Sequence, residues 1–259
     1  MQSNPRVVAL VQARMSSSRL PGKVLKYING KPMLAWVVER TRLAKKIDFV
    51  AVATTTDKAD DAIEAWCKES NTGCYRGSMF DVLDRFYQAA KLYAAEVVVR
   101  VTADCPVIDP QVIDETIDAF YANQADFAAN RLPPPWGRTY PIGLDTEVCS
   151  FAALERAWKE AKEAHEREHV MPYLYDVSGR FKVHLLNTSP EYGALRWTVD
   201  TLADLEFMQA LFDLLPDAVS FTWLDVLEVT RLHPELAAIN ADVQHKVFNE
   251  VDARMKKRG

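Results

Sequence analysis

The stretch Val7-Val8-Ala9-Leu10-Val11-Gln12-Ala13-Arg14-Met15-Ser16-Ser17-Ser18-Arg19-Leu20-Pro21-Gly22-Lys23 decides how the chain folds. Its short apolar start predicts a buried strand over Val7–Gln12. The residues that follow bring Arg14, Arg19 and Lys23 together with three serines and a Pro-Gly turn. A strand that opens into such a loop presents cations and backbone N–H groups at one point, which suits a polyphosphate. A solvated basic loop is the alternative interpretation.

Length and composition restrict the class of protein. A chain of 259 residues can bury a full core, and we expect one large domain. The formal net charge of -5 argues against a nucleic-acid binder, because such proteins carry a basic excess. The four cysteines include no C-x-x-C pair, which favours reduced thiols over a disulfide framework. No apolar run approaches the ~18 residues of a membrane span, so we expect a cytoplasmic protein that stays out of the membrane.

Strand and helix patterns alternate through the first half of the chain. The predicted strands are Val7–Gln12, Phe49–Thr54, Cys74–Tyr75, Glu96–Thr102 and Asp126–Ala129. The helices between them are predicted over Met33–Lys46, after Asp57, and over Phe80–Ala95 and Pro110–Asn123. Such alternation predicts a mostly parallel α/β sheet covered on both faces, with ligands beyond the carboxyl ends of its strands. Residues expected near that edge are Arg14, Thr55, Arg76 and Asp104.

The second half of the chain has a less regular pattern. A Pro-rich connector over 132–137 leads to an extended segment, Pro141–Val148, predicted as an edge or hairpin strand. Further strands are predicted at Phe181–Leu186 and at Trp197–Val199. The predicted helices are Phe151–Ala164, Glu168–Asp176, Leu202–Leu215 and Leu224–Leu232.

Two aspartates stand where short strands end. Asp104 follows the apolar strand Glu96–Thr102, and Asp200 follows Trp197–Val199. Mg²⁺ is commonly held by one or two carboxylates together with substrate phosphates. Each aspartate alone also fits a helix cap or turn. Together with the cationic loop, the pair predicts a Mg²⁺ site beside a bound polyphosphate.

Other polar clusters leave several interpretations open. His165-Glu166-Arg167-Glu168-His169 matches the H-E-x-x-H zinc pattern, but its two middle positions are charged and no H-x-x-G-x-x-H extension follows. A charged helix start is the alternative, as is binding of an acidic substrate by Arg167 and His169. In the extended segment, Asp145 and Glu147 share one face and could bind sugar hydroxyls or assist a metal.

The motifs together resemble the sugar-activating cytidylyltransferases, the CMP-Kdo and CMP-acylneuraminate synthetases. The loop Gln12–Lys23, with Gly30-Lys31-Pro32-Met33 after it, carries the resemblance. The chain is most similar to the branch of spore coat polysaccharide synthesis (SpsF-type) proteins. That branch shares four further motifs: Gly77-Ser78 with Asp81–Arg85, Thr102–Pro106, Arg167–Val170 and Thr198–Thr201. The resemblance spans roughly residues 7–215.

The resemblance implies a three-layer α/β/α Rossmann-like nucleotidyltransferase fold. It implies one domain over 1–259, with 131–148 as a protruding sugar-binding and dimerisation segment and 216–259 as a helical appendage. The implied reaction joins CTP to an acidic sugar, giving a CMP-sugar and pyrophosphate for surface polysaccharide synthesis, and the implied assembly is a homodimer.

The resemblance also implies roles for individual residues. Arg14, Lys23 and Asp104 would be catalytic, and Asp104 and Asp200 would hold Mg²⁺. The implied nucleotide-binding residues are Gln12, Ala13, Arg14, Ser18, Arg19, Lys23, Thr55, Arg85 and Asp104. The candidate substrate-binding residues, Asp145, Glu147, Arg167 and His169, come from the residue patterns above and not from the resemblance.

Three other functions stay open from the sequence. The first is a nucleotide- or sugar-binding protein without turnover. The second is a glycosyltransferase, although the usual Asp-x-Asp pattern is absent. The third is a zinc hydrolase that uses His165 and His169.

Overall fold

A strand of six residues, β1 (Val7–Gln12), runs through the interior of the protein, and all but its last residue are buried. In the computed structural model, residues 6–133, 136–215, 217 and 220–243 are described. In chain order the strands are β1 (Val7–Gln12), β2 (Tyr27–Ile28), β3 (Lys31–Pro32), β4 (Phe49–Thr55), β5 (Gly73–Gly77), β6 (Val97–Thr102), β7 (Phe127–Ala129), β8 (Glu147–Ser150) and β9 (Val183–Leu185).

Ten α-helices connect and cover these strands in the described part of the chain. They are α1 (Met33–Arg42), α2 (Asp61–Glu69), α3 (Val82–Leu92), α4 (Pro110–Ala122), α5 (Phe151–Glu160), α6 (Ala164–His169), α7 (Pro172–Tyr175), α8 (Leu202–Leu214), α9 (Trp223–Leu232) and α10 (Leu236–Ile239). None of the described helices is both long and apolar enough to span a membrane.

Seven strands form one sheet in the order β5-β4-β1-β6-β8-β7-β9, and β2 and β3 form a separate hairpin. The strand β1 pairs in parallel with β4 and β6, with Leu10 opposite Ala51 and Arg100. The strand β8 is antiparallel to both of its neighbours, whereas β7 and β9 are parallel. The sheet is therefore mostly parallel, which confirms the predicted fold class.

Side chains of β1 point alternately to two apolar layers, as expected for a strand covered on both faces. Val7, Ala9 and Val11 pack in the layer that contains residues of α1, α4 and α8. Val8 and Leu10 pack in the layer that contains residues of α3 and α5. The protein thus has the predicted α/β/α layers.

Two predicted strands differ from the structure. The strand expected at the edge or in a hairpin over Pro141–Val148 is β8, Glu147–Ser150, and it lies inside the sheet between β6 and β7. Alternation of polar and apolar residues reports which faces are buried, but it does not report a strand's neighbours. Residues 197–199 form no strand. The Trp197 N–H donates to the Ile142 carbonyl and the Val199 N–H donates to the Asp104 carbonyl, so these residues pair with two different segments and not with one neighbouring strand.

The predicted helices of residues 151–176 are also shorter than expected. The helix that begins at Phe151 ends at Glu160, and the next two are α6 and α7. Val170, between them, has a positive φ of 74°, and Pro172 cannot donate a backbone hydrogen bond to a preceding turn. One continuous helix over Glu168–Asp176 is therefore wrong.

The segment 131–148 packs against the body of the protein where the structure describes it. Leu132, Tyr140 and Leu144 are buried, whereas Trp136 is exposed. Its predicted part in a dimer stays a prediction. Within 216–259, Val226 of α9 and Leu236 of α10 are buried in the apolar layer that also contains Val7, Ala9 and Val11 of β1. Residues 244–259 lie outside the described residues.

Candidate active site

The loop after β1 folds back so that Lys23 lies under the carboxyl end of the sheet. The Gly22 N–H donates to the Met15 carbonyl at 2.8 Å, and the Met15 N–H donates to Asp60 Oδ1 at 2.7 Å. Gly22 has a φ of 69°, a left-handed conformation that glycine adopts at little cost. A 3₁₀ turn, Lys23–Leu25, then begins directly. The Pro-Gly pair in the sequence thus sets the direction of the Lys23 side chain.

A cavity of about 220 Å³, here called the loop cavity, opens between this loop and the ends of β1 and β6. Its lining consists of Gln12, Arg14, Ser17, Ser18, Arg19, Lys23, Val24, Thr102, Ala103, Asp104 and Asp200. Six of the nine residues predicted to bind nucleotide are in this lining, and so are both predicted metal ligands. The tertiary structure therefore joins the cationic loop to the two aspartates.

Lys23 lies between the two aspartates and bonds to both. Its ammonium donates to Asp104 Oδ2 at 2.8 Å, to Asp200 Oδ1 at 2.9 Å and to the Val199 carbonyl at 2.8 Å. Burial alone would lower the pKa of Lys23, but the two carboxylates raise it above its ordinary value of 10.5. The ammonium is therefore charged at neutral pH.

Asp200 is surrounded by three cations. Its Oδ1 accepts from Lys23, while its Oδ2 lies 2.9 Å from Arg19 and 3.0 Å from Arg196. Burial would raise the pKa of Asp200, yet Lys23 and these arginines hold it well below the usual range. Asp200 is therefore an anion whose two oxygens face different partners.

Sequence reasoning missed the residues that support Asp200. Arg196 pairs with both Asp200 and the fully buried Asp204. Asp204 Oδ2 accepts the backbone N–H of Asp200 at 2.9 Å and that of Thr201 at 2.9 Å. A signal for Asp204 exists, since Thr201-x-x-Asp204 is a capping box at the start of α8. No local pattern marks Arg196.

The two aspartates fit a divalent cation. Asp104 Oδ2 and Asp200 Oδ1 converge on one point, because both reach the same ammonium nitrogen. Carboxylate oxygens are hard ligands of the kind that Mg²⁺ prefers, and Mg²⁺ usually takes its other ligands from water and phosphate. Within the described residues, no group of three or more His, Cys, Asp or Glu side chains could hold a metal, so any ion here would depend on the two aspartates and on ligands from outside the protein.

A second cavity of about 150 Å³ adjoins the loop cavity, and Thr102, Asp104 and Asp200 line both. The rest of its lining is Arg100, Cys105, Asn130, Arg131, Ile142, Gly143, Asp145, Glu147 and Thr198. Both acids predicted in the extended segment therefore face one polar cavity beside the aspartate pair.

The charges of the second cavity are mostly paired. Glu147 bonds to Arg100, whose Nε and Nη2 also donate to Gln12 Oε1 at 3.1 and 2.9 Å. The two terminal nitrogens of Arg138 each donate a hydrogen bond to one carboxylate oxygen of Asp145. Arg131 Nε lies 3.6 Å from Asp145 Oδ2. Sequence reasoning missed Arg100, Arg131 and Arg138. Arg100 stands inside an apolar strand, which is a usable signal, because a charge there needs a buried partner.

Three residues predicted to bind nucleotide lie outside both linings. The Ala13 N–H donates to the Ala53 carbonyl at 3.3 Å, so Ala13 is part of the sheet edge. Thr55 is buried and bonds to Asp60, the residue that holds the Met15 N–H. Arg85 is buried on α3.

Two residues predicted to bind substrate also lie outside both linings. Arg167 donates to both carboxylate oxygens of Asp81, at 3.0 and 2.6 Å, and so ties α6 to the start of α3. His169 is on the same helix. His165 pairs with Asp176 at 2.8 Å. Within the described residues no third ligand joins these histidines, so the zinc interpretation has no structural support.

Comparison with known proteins identifies the family. The model of the Cytidylyltransferase family matches residues 8–216. An uncharacterized protein of Methanocaldococcus jannaschii is 36% identical over 253 residues, which are 95% of this chain and 99% of that protein. The spore coat polysaccharide biosynthesis protein SpsF of Bacillus subtilis is 29% identical over 238 residues, 89% of this chain and 96% of its own.

Solved structures agree with the sequence comparison. A cytidylyltransferase from Leptospira borgpetersenii superposes with a TM-score of 0.85 at 31% identity, over 94% of this chain and all of its own. A CMP:2-keto-3-deoxy-manno-octonic acid synthetase solved with CTP shares the fold, with a TM-score of 0.62 at 19% identity over 80% of this chain and 98% of its own. This chain therefore belongs to the cytidylyltransferase family, a family of CTP-using nucleotidyltransferases.

Proposed function

We propose that this cytidylyltransferase transfers CMP from CTP to an acidic sugar, releasing pyrophosphate. One observation carries the proposal: the cationic loop cavity and a polar second cavity meet at Asp104 and Asp200. A nucleotide in the first cavity and an acceptor in the second would bring their reacting atoms together at that junction. Such positioning removes much of the entropic barrier of a two-substrate reaction.

The loop residues would bind the triphosphate. Arg14, Arg19 and Lys23 all line the loop cavity. A cation about 4 Å from a phosphate charge gains roughly 4 kcal/mol in a partly buried site, against about 1 kcal/mol in water. These cations would therefore stabilise the charge that builds on the α-phosphate and on the leaving pyrophosphate. Gln12 and Ser18, in the same lining, would add neutral hydrogen bonds.

Asp104 and Asp200 would hold Mg²⁺. When bound, the ion neutralises phosphate charge and lowers the cost of bringing an oxygen nucleophile to phosphorus. In the reaction itself, an acceptor oxygen forms a bond to the α-phosphorus. The bond from that phosphorus to the bridging oxygen breaks, and pyrophosphate leaves with the bonding electron pair while the acceptor releases its proton.

The second cavity supports an acceptor that is both anionic and rich in hydroxyls. Arg131 lines the cavity, and its Nε lies 3.6 Å from Asp145 Oδ2, farther than the 2.8 Å between Arg138 Nη2 and the same oxygen. A guanidinium so placed can take a substrate carboxylate. Asp145 and Glu147 offer carboxylate oxygens to sugar hydroxyls. We therefore move the proposed acid-binding role from Arg167 and His169, which lie outside the linings, to Arg131.

The wider role is proposed from the relatives. SpsF is named for polysaccharide synthesis, and we propose the same kind of pathway here. A homodimer in the cytoplasm remains our prediction.

A panel assay tests the proposal. The protein is incubated with CTP, Mg²⁺ and, in turn, 2-keto-3-deoxy sugar acids, neutral aldoses and sugar phosphates, and pyrophosphate release and the nucleotide product are measured. We expect a CMP-sugar from a sugar acid. Asp104→Asn should lower the rate more than tenfold, whereas Asp118→Asn, which removes an exposed carboxylate 2.9 Å from Lys46, should not. Transfer only to neutral sugars, or full activity of Asp104→Asn, would contradict the proposal.

A further inference from the structure

The ammonium of Lys23 has no donor left for a phosphate in its present position. An ammonium has three N–H groups, and three acceptors lie within 2.9 Å: Asp104 Oδ2, Asp200 Oδ1 and the Val199 carbonyl. Lys23 is 8% exposed, so water has little access to its ammonium, and the carboxylates of Asp104 and Asp200 are the charges that balance it. The residue predicted to bind the triphosphate therefore binds the predicted metal ligands.

The same two carboxylate oxygens cannot hold Lys23 and a divalent ion together. Mg²⁺ bound between them would lie about 2.1 Å from each oxygen, inside the space that the ammonium nitrogen fills. A divalent ion and the Lys23 ammonium bound to the same two oxygens would also repel each other strongly in a partly buried site. We propose that Lys23 competes with the divalent ion for Asp104 and Asp200, and that the triphosphate removes this competition by binding Lys23. This inference rests on the proposed role of the two aspartates as metal ligands.

The loop cavity gives Lys23 a second place to bind. Lys23 lines it together with Arg14, Ser17, Ser18 and Arg19. The lysine side chain has four rotatable bonds, and its backbone is held by the turn at Gly22. A triphosphate among these residues would accept the ammonium and release both carboxylates. Nucleotide and metal would then strengthen each other's binding, and linkage requires the effect to be reciprocal.

The arginines beside Asp200 do not compete in this way. Arg19 and Arg196 contact Oδ2, whereas Lys23 contacts Oδ1, the oxygen that faces Asp104. A metal at Oδ1 can therefore bind while both arginines stay in place. Arg19→Met is consequently the matched control. It removes one positive charge beside Asp200, as Lys23→Met does, but it leaves Asp200 Oδ1 occupied by Lys23.

Binding of Mn²⁺, used as a probe for Mg²⁺, tests the inference on the full chain without nucleotide. Free Mn²⁺ is followed by electron paramagnetic resonance for the wild type, Lys23→Met and Arg19→Met. We expect Lys23→Met to bind Mn²⁺ at least tenfold more tightly than the wild type, and Arg19→Met to change the affinity less than threefold. The gain should disappear in Lys23→Met combined with Asp104→Asn. With a non-hydrolysable CTP analogue, wild-type affinity for Mn²⁺ should rise, and in Lys23→Met this rise should be at least tenfold smaller.

Folding of each variant is checked by circular dichroism, and Lys23→Gln serves as a second neutral variant if Lys23→Met is unfolded. Unchanged or weaker Mn²⁺ binding by a folded neutral variant would overturn the competition. CMP transfer by the wild type is assayed separately. A wild type that transfers CMP while the variants show no gain would reject only this inference, whereas no transfer to any acceptor would reject the proposed function.

Discussion

The carboxylate of Asp204 accepts the backbone N–H of Asp200 at 2.9 Å, four residues upstream. Asp204 is fully buried, and it also accepts Arg196 Nε at 2.9 Å and Asn240 Nδ2 at 3.1 Å. Arg196 in turn bonds to Asp200 Oδ2. The backbone and the side chain of Asp200 are therefore oriented by one buried carboxylate, which links α10 to the candidate active site.

Asp204→Asn should disturb Asp200 as well as lower stability. Breaking a buried, hydrogen-bonded ion pair costs about 3–5 kcal/mol, and we expect a loss of about 3 kcal/mol because asparagine keeps one acceptor. Turnover should fall at least fivefold. The matched control is Asp225→Asn, since Asp225 occupies the same capping-box position in α9, and within the described residues its carboxylate bonds to Thr222 alone. Chemical unfolding and pyrophosphate release measure both effects, and equal effects of the two variants would contradict the role of Asp204.

The stabilising contribution of Asp200 should depend on pH with a definite sign. Its pKa in the folded protein is well below the ordinary value of 3.8, so the unfolded chain takes up a proton first as the pH falls. The contribution is complete above about pH 5 and is lost below the unfolded pKa. The difference in unfolding free energy between wild type and Asp200→Asn should therefore shrink by about 1.4 kcal/mol for each pH unit below that pKa. Urea unfolding between pH 3 and pH 7 measures it, and a difference that does not change with pH would refute the prediction.

The buried side chain of Arg85 should make the nucleotide-free protein less stable to unfolding than a variant with an apolar residue at this position. It is 1% exposed, and its Nε and Nη1 find no hydrogen-bond partner among the described residues. Burial, together with repulsion from Arg14, lowers its pKa to about 10. A buried charge without compensating hydrogen bonds costs stability, and an apolar side chain of similar length at the same place removes that cost. Arg85→Met should therefore raise the unfolding temperature of the protein measured without nucleotide.

Arg40→Met is the control for Arg85. Arg40 is equally buried, but it donates to the Ile108 carbonyl at 2.7 Å and to the Phe221 carbonyl at 3.0 Å. Its guanidinium also lies 3.5 Å from the centre of the Phe221 ring. Loss of these contacts should destabilise the protein. Similar destabilisation by Arg85→Met and Arg40→Met would show that Arg85 is a structural residue.

CTP with Mg²⁺ should raise the unfolding temperature more than ATP, GTP or UTP does. A ligand that binds only the native state adds about 2.7 kcal/mol of stability at a hundred times its dissociation constant. The shift should be smaller in Asp104→Asn. A thermal-shift series over the four nucleotides measures this preference, and equal shifts would contradict selective binding of CTP.

Much of the fold follows from local pattern. The apolar runs at Val7–Gln12 and Val97–Thr102 have the predicted bounds within one residue, because a strand buried on both faces needs a continuous apolar sequence. The position of β8 does not follow, since an alternating segment fits the edge or the interior of a sheet equally well. The same limit applies to Arg167, whose partner Asp81 is 86 residues away.

The sequence by itself determined which chemical groups the protein has and where the buried strands β1 and β6 end. It therefore indicated the cationic loop and put Asp104 directly after β6, and it marked Asp200 as a candidate although residues 197–199 form no strand. Only the tertiary structure decided which of these groups bond to one another. Lys23 reaches Asp104 across 81 residues and Asp200 across 177, because the order of β1, β6 and the 197–200 segment brings their ends together. Hydrophobic periodicity reports burial along one element, whereas the partner of a charge depends on how distant elements pack.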